Sequence, residues 1–199
     1  HVRNYVDALR CGAGAGAMSA CNAANLAAQD AFVYLRFTNQ TVRLVGIDLS
    51  GFAELGRSPR WGQWVLSGGI NYVRGKNTDT GDHLMHMMPL NARLALTHQL
   101  GGWSGTAEWV GVAHKNRVSR ERNEMRTSGY GLLNLRAGYA WKRLRLDFGI
   151  DNVFDRYYEL PLGGAYVGQG QTMSATGAPW GVRVPGRGRS FKVGLSMSF

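Results

Sequence analysis

Two kinds of soft metal donor, imidazole and thioether, lie together in one short run, His83-Leu84-Met85-His86-Met87-Met88. Imidazole suits copper and several other transition metals, and thioether sulfur selects Cu(I) in particular. We therefore take His83, Met85, His86, Met87 and Met88 as candidate metal ligands. The alternative is structural and is the more common role for such residues: Met87-Met88-Pro89 begins a strand with an apolar face, and the histidines are solvated loop residues.

Cys11 and Cys21 lie ten positions apart in a stretch of Gly, Ala, Ser and Asn. A cysteine pair that closes a small loop is typical of proteins in oxidising compartments such as the periplasm or the cell surface. We predict a disulfide between them. A thiol pair for a soft metal is the other interpretation.

Other residue types that carry chemistry do not form a catalytic pattern. The sequence has no Ser–His–Asp order, paired catalytic carboxylates, phosphate-binding loop or CxxC zinc spacing. His98 and His114 fall in strand-like segments, where structural roles are more common than metal ligation. Four aromatic residues near the carboxyl end either stack on a chelate or simply pack: Tyr157, Tyr158, Tyr166 and Trp180. We predict neither an enzyme nor a cofactor.

The composition indicates a folded β protein. The chain has 199 residues, 28 of them Gly and 5 Pro, and only 18% are charged; disordered chains are more charged and less aromatic. The net charge is +10, but the basic residues are scattered and are dense only at 117–126 and 183–192, so we predict no nucleic-acid partner. No apolar run is long enough for a transmembrane helix, whereas barrel strands need only about 9–11 residues with alternate ones apolar.

Period-two alternation predicts the strands, because successive strand residues face opposite sides of a sheet. The clearest segments are 143–151, where Leu144, Leu146, Phe148 and Ile150 share a face, and 190–199. Weaker copies predict further strands near 1–9, 45–54, 64–72, 90–97, 103–114 and 133–141. The sequence therefore predicts an all-β fold of eight antiparallel strands.

The connections between these strands alternate in length. Gly56–Trp61, Gly101-Gly102 and Lys142 are short turns, whereas 11–30, 75–88, 115–129 and 155–188 are long. Bacterial outer-membrane barrels have short turns at one end and long loops at the other. Aromatic residues near strand ends (Trp64, Tyr139, Trp141 and Phe199) match interfacial girdles. We therefore expect the apolar faces to point outward, into lipid.

Residues 130–199 resemble the carboxy-terminal end of a TonB-dependent outer-membrane receptor. The resemblance is carried by LLNLRAGYAW (132–141), LRLDFGIDNVFDRYYELP (144–161) and VPGRGRSFKVGLSMSF (184–199), in that family's order and spacing. The segment Asn152 to Tyr158 is the most specific. Upstream, the strand Thr41 to Leu55 has the family's Gly-x-Asp centre at Gly46 and Asp48.

The resemblance implies that residues 1–199 are the last eight strands of a barrel of about 22, with the plug domain and TonB box upstream. The opening residues His1 to Asp7 have no signal-peptide features and resemble a strand entered part-way, as a fragment would. The implied partners are the TonB system through the plug, outer-membrane lipid and lipopolysaccharide, and the barrel-assembly machinery, which would read the terminal Phe199. The implied location is the outer membrane of a Gram-negative bacterium.

The implied function is active import of a scarce metal or metal chelate. Copper is favoured because the chain also resembles copper-uptake members of the family, although their principal metal ligands lie outside the region matched here. Two other hypotheses remain at this point. A complete eight-stranded outer-membrane barrel would have a structural or adhesion role, and a soluble basic barrel would bind a partner without lipid.

Overall fold

The computed structural model describes residues 1–10, 35–120, 122, 124–166 and 182–198. The strands are β1 (Val2–Arg10), β2 (Leu35–Ser58), β3 (Gly62–Asn77), β4 (Asn91–Leu100), β5 (Trp103–Val112), β6 (Tyr130–Trp141), β7 (Leu144–Asp151), β8 (Ala165–Tyr166), β9 (Val182–Arg183) and β10 (Ser190–Met197). Eight antiparallel strands form one sheet in the order β1-β2-β3-β4-β5-β6-β7-β10. A separate two-stranded ribbon pairs β8 with β9. The predicted all-β fold of eight antiparallel strands is confirmed.

The register places apolar side chains opposite one another on one face of the sheet. Leu49 pairs with Ile70, Leu94 with Trp109, and Val193 with Phe148. These side chains are exposed, Val193 to 72% and Leu195 to 73%. Since the apolar face is not gathered into a sealed interior, the arrangement is that of a sheet whose apolar side meets lipid.

The opposite face carries polar groups that pair across strands. Arg93 lies 3.2 Å from Glu108, which accepts a hydrogen bond from the Asn134 side chain at 2.9 Å. Further along the same face Asp151 pairs with both Arg136 and Lys192. Within β7, Asp147 pairs with Arg145 at 2.9 Å on this face.

Short turns close one end of the sheet. Gly62, which starts β3, has φ +72, and a Cβ there would lie 2.1 Å from the Gln99 carbonyl oxygen, so this turn requires glycine. Trp64, Tyr139 and Trp141 lie at this end, as the girdle pattern predicted. We call it the short-turn end and the opposite one the long-connection end.

Three strands differ from the sequence expectation. β3 runs to Asn77, so residues 75–77 belong to the strand rather than to a long connection. β2 runs over 24 residues, so Gly56 and the two residues after it belong to the strand rather than to the turn, and a bulge between Glu54 and Gly56 absorbs the change of register. β5 ends at Val112, two residues before His114. The polar run Thr38 to Thr41 interrupts the alternation of hydrophobicity near the start of β2, which explains why the pattern missed this part of the strand.

The edges of the sheet are β1 and β10, and each pairs with one neighbour only in the part of the chain described. The described residues therefore do not close into an eight-stranded barrel. They also contain no helix with the length and hydrophobicity needed to cross a membrane. Among these residues, the buried apolar side chains are few: Val42, Leu84, Ala95 and Val112.

Candidate functional site

The candidate metal ligands follow a hairpin at the outer end of β3. The Asn77 side chain oxygen accepts hydrogen bonds from the backbone N–H groups of Asp79 at 3.0 Å and Thr80 at 3.1 Å, which fixes a turn. The chain then returns antiparallel to β3, with His83 opposite Lys76. The Leu84 N–H donates to the Gly75 carbonyl at 3.2 Å. The turn therefore sets the position of His83.

Leu84 anchors this hairpin because it is fully buried against Gly75. A Cβ on Gly75 would lie 2.7 Å from Leu84 Cδ1, so only glycine leaves room for the leucine. At the same level the Asn77 amide donates to the Gln40 side chain of β2, and both residues are buried. Apolar packing and an amide pair together hold the loop against the sheet.

The next long connection, 113–129, contains a buried ion pair. Lys115 Nζ lies 2.6 Å from Glu124 Oε1, and their side chains are 1% and 4% exposed. Lys115 Nζ also donates to the Pro161 carbonyl at 2.7 Å. Glu124 accepts from the backbone N–H groups of His86 at 2.8 Å and Ser119 at 2.9 Å. A buried pair is stable when further hydrogen bonds satisfy its remaining groups, as here.

This pair joins three connections at one point, and we call Lys115 and Glu124 the loop hub. His86 belongs to the 78–90 connection, the hub itself to 113–129, and Pro161 to the connection after β7. The sequence analysis did not identify either residue. A signal was present, since Glu124 is an acidic residue inside the dense basic run 117–126.

Three of the five candidate ligands line one cavity of about 300 Å³ between the outer end of β3 and the 113–129 connection: His83, Met87 and Met88. His83 Nδ1 is buried and has no hydrogen-bond partner among the described residues. A nitrogen in that state is available to a metal ion or a polar ligand. The cavity therefore combines an imidazole with two thioether side chains.

The other two candidates are engaged elsewhere. Met85 Sδ accepts a long hydrogen bond from Arg122 Nη1 at 3.9 Å, and Arg122 pairs with Asp7 of β1 at 2.8 Å. His86 is exposed, has φ +59, and gives its backbone N–H to the loop hub. The structure thus separates Met85 and His86 from His83, Met87 and Met88.

His114, for which a structural role was predicted, also lines the cavity. Its Nδ1 accepts a hydrogen bond from the Gly129 N–H at 3.2 Å. The neutral ring then carries its proton on Nε2, so neither nitrogen has a lone pair free to bind a metal ion in this arrangement. In the described ranges, no three side chains of His, Cys, Asp or Glu are arranged to hold a metal ion. A metal site here would depend on the thioethers.

Positive charge borders the same cavity. Arg74 and Arg117 belong to its lining, and Arg117 Nη1 donates to the Tyr72 hydroxyl. Guanidinium groups oppose a bare cation and attract a carboxylate or phosphate. The cavity therefore suits a metal accompanied by anionic groups better than a free hydrated cation.

Of the remaining candidates, Tyr158 packs on Tyr130 with ring centroids 4.5 Å apart, and Tyr157 is exposed. Cys11, Cys21, Trp180 and Phe199 lie outside the described residues, as does the side chain of Tyr166. The disulfide and the role of Phe199 in assembly remain predictions.

Comparison with known proteins finds similarity to a Haemophilus influenzae protein and to solved structures. The heme/hemopexin utilization protein C of Haemophilus influenzae is 31% identical over 133 residues, which is 63% of this chain and 17% of that protein. The copper transporter OprC superposes with a TM-score of 0.76 and 25% identity, over 99% of this chain and 28% of that one.

A third relative shows the fold alone. The ferric yersiniabactin uptake receptor FyuA of Yersinia pestis superposes with a TM-score of 0.60 at 17% identity, over 79% of this chain and 24% of that one. The chain thus spans less than a third of the length of each relative.

The family model for the β-barrel of TonB-dependent receptor-like proteins matches residues 1–153. It includes the strands from β1 to β7 and stops before β10, whereas the sequence resemblance was strongest in residues 130–199. Receptors of this family are transporters, which confirms the prediction that this chain is not an enzyme. Since the match covers 153 of 199 residues, the chain belongs to the TonB-dependent receptor β-barrel family.

Proposed function

We propose that this chain forms the last strands of an outer-membrane receptor that binds and imports a scarce metal or metal chelate, with copper favoured, using energy from the TonB system. The family resides in the outer membrane of Gram-negative bacteria. In this proposal, the plug domain and the earlier strands belong to the rest of a longer receptor. The open edges β1 and β10 support this over the complete small barrel.

One observation carries the choice of cargo: the cavity at the outer end of the sheet is lined by His83, Met87 and Met88. Two thioethers and an imidazole with a free nitrogen suit Cu(I) better than hard cations. The likeness to the copper transporter OprC adds support. Arg74 and Arg117 at the border favour a copper complex with anionic groups over the bare ion.

Copper binding by the full-length receptor tests this proposal. Purified receptor would be titrated with Cu(I) against a competing chelator, in the wild type and in the Met87→Leu/Met88→Leu variant. Leucine keeps the apolar volume and removes the sulfur, so we expect Cu(I) affinity at this site to fall at least about tenfold, since even substitutions of outer-shell residues cost metal sites about 10–100-fold.

Met85→Leu is the matched control, because Met85 contacts Arg122 and does not line the cavity. It should bind Cu(I) like the wild type. Equal binding by the double variant would remove this loop from the copper site.

Heme is the second candidate cargo, favoured by the likeness to the heme/hemopexin utilization protein. The two candidate cargoes are distinguished by measuring the uptake of heme and of copper in cells that depend on this receptor. Growth on heme as the iron source, with no effect on copper accumulation, would select heme.

A further inference from the structure

The hydrogen-bond ladder along β3 is interrupted where β3 borders the cavity. Asn71 pairs with Asn91, the first residue of β4. Farther out, the Leu84 N–H donates to the Gly75 carbonyl at 3.2 Å. Between these two points the returning chain, 85–90, does not pair with β3 in the described ranges. A short stretch of strand edge therefore faces the cavity.

The alternation of hydrogen bonds along β3 identifies the backbone groups left open. In an antiparallel strand, the N–H and C=O of one residue point to the same neighbour, and the next residue points to the other. The carbonyls of Asn71 and Gly75 both accept on the β4 side, from the Asn91 side chain at 3.4 Å and from the Leu84 N–H. Val73, midway between them, points its N–H and C=O to the same side. No hydrogen bond joins either group to a described residue there.

Pro89 explains why the ladder opens at this position. Continuing the register of Asn71 with Asn91 would place Pro89 opposite Val73. Proline has no N–H, so it cannot donate to the Val73 carbonyl. Its own carbonyl accepts from the Asn91 side chain at 3.0 Å. Both Val73 and Pro89 line the cavity, so the sequence leaves an unpaired strand edge inside it.

An unpaired edge of this kind is a binding element for an extended peptide. Val73 is half-buried, and backbone groups that lose water favour a partner that can both donate and accept. A peptide residue lying opposite Val73 would donate its N–H to the Val73 carbonyl and accept from the Val73 N–H. Peptides that add to a sheet edge derive their affinity from such main-chain bonds.

The remaining groups of the cavity suit the other parts of such a ligand. His83, Met87 and Met88 offer soft donors for Cu(I), and Arg74 and Arg117 attract a carboxylate. A copper complex of a short peptide carries all three kinds of group: the metal ion, the amide backbone and the carboxylate. Heme has no amide N–H for the strand edge.

We propose that the open edge of β3 at Val73 binds the backbone of a peptide chelator, so that the cargo is a copper complex of a short, carboxylate-bearing peptide. This inference rests on the proposed copper function and deepens it by naming the class of chelator. Recognition is through the main chain of the receptor, so it selects amide groups rather than particular side chains of the peptide.

Binding of three forms of copper by the full-length receptor tests the pairing. They are Cu(I) alone, the Cu(I) complex of N-acetyl-histidyl-valyl-histidine, and the same complex with the valine N–H methylated. Methylation keeps the imidazoles and the carboxylate but removes the donor to the Val73 carbonyl. It should weaken binding to the wild type about tenfold, because one hydrogen bond is lost and a carbonyl is left unpaired.

Val73→Pro removes the N–H on the receptor side. Because this N–H points away from β2, proline breaks no bond of the β2–β3 ladder. The variant should bind the two peptide complexes about equally, and Cu(I) alone within about twofold of the wild type, since the metal donors are other side chains. Val73→Ala, which keeps the N–H, is the matched control and should still prefer the unmethylated complex.

Hydrogen exchange in the wild type provides a measurement that needs no variant. The unmethylated peptide complex should slow exchange of the Val73 amide at least about tenfold, because the amide becomes part of a ladder. Cu(I) alone should leave that rate unchanged. Together with the effect of methylation, this decides the question even if Val73→Pro fails to fold.

Three results would contradict the inference in distinguishable ways. Equal binding of the two peptide complexes by the wild type overturns it and leaves the copper proposal intact. A preference for the unmethylated complex that survives in Val73→Pro also overturns it, because the peptide would then pair elsewhere. A wild-type receptor that binds Cu(I) in none of the three forms contradicts the proposed function itself, and the inference falls with it.

Discussion

At its short-turn end the sheet exposes most of its side chains, whereas at its long-connection end it buries charged and amide groups between connections. The stacked pair Trp64–His98, with centroids 4.2 Å apart, and the pair Trp103–Tyr139 at 4.5 Å join neighbouring strands at the first end. The loop hub links groups as far apart in sequence as Lys115 and Pro161 at the other.

The two ends differ in the free energy that is lost when one of their contacts breaks. An exposed ion pair or aromatic pair is solvated when it breaks, so its loss costs little. A buried charge or amide that loses its partner keeps the cost of desolvation. Substitutions should therefore have larger effects at the long-connection end, even when the substituted residues look alike.

Lys115→Met should have the largest effect. It leaves the Glu124 carboxylate buried without a counter-charge, and removing one partner of such a pair costs about 3–5 kcal/mol. We expect the connections at 78–90 and 113–129 to open, which hydrogen exchange of the His86 and Ser119 amides in the full-length receptor would show.

Two controls sharpen this expectation. Lys115→Met/Glu124→Gln removes both charges and keeps an acceptor for the two amides, so it should recover most of the loss. Arg57→Met breaks the exposed pair with Glu54 at the short-turn end and should cost at most about 1 kcal/mol. Similar losses from Arg57→Met and Lys115→Met would contradict the comparison.

The next effect in size is expected for Asn152→Gly. Asn152 is buried and has φ +51, and its amide joins both ends of the connection after β7, by hydrogen bonds to the Arg156 carbonyl at 2.8 Å and the Arg187 carbonyl at 3.3 Å. Glycine adopts this φ without strain, but it leaves the two carbonyl oxygens without their hydrogen-bond donor. We expect this to cost about 1–3 kcal/mol of stability. Protease cleavage between 152 and 189 should become faster.

Asn152→Asp is the control for the acceptor. It keeps the oxygen that accepts from the Arg156 N–H at 2.9 Å, and it tolerates positive φ, but its other oxygen would face the two carbonyl oxygens without a proton to donate. Because that oxygen is buried, the loss should be at least as large as that of Asn152→Gly. Wild-type protease resistance in the glycine variant would show that the amide is dispensable.

The same distinction explains what the sequence could predict. Alternation assigns each strand residue to a face by parity alone, so the faces of Arg143 to Asp151 and of Ser190 to Met197 followed directly. Alternation did not predict residues 35–40 of β2, because Thr38, Asn39 and Gln40 interrupt it. Pairing with β1 and the contact of Gln40 with Asn77 hold this part of the strand in place.

The candidate ligands show the limit of spacing as a guide. His83, Met85, His86, Met87 and Met88 are close in sequence, yet whether two of them face the same space depends on the hairpin at Asn77 and on Glu124, 38 residues beyond His86. No local pattern encodes such a contact. The residue types therefore suggest a soft-metal site, which stays a prediction, and tertiary contacts bring only His83, Met87 and Met88 to one cavity.

Lys142→Gly should have the smallest effect and the opposite sign. Lys142 has φ +53, close to that of Asn152, but it is exposed in a short turn, with its Nζ 5.2 Å from the centre of the Trp141 ring. Glycine relieves about 1–2 kcal/mol of left-handed strain and loses about 0.5–1 kcal/mol to unfolded-state entropy, so the receptor should gain up to about 1 kcal/mol. The gain is measured as a rise in the temperature at which the purified receptor loses its compact electrophoretic form.

Lys142→Asn, which tolerates the same φ, should give a smaller gain. If Lys142→Gly lost as much stability as Asn152→Gly, burial of the side chain would not explain the difference between the two ends. The shared left-handed backbone conformation would then decide the change in stability at both the short-turn end and the long-connection end.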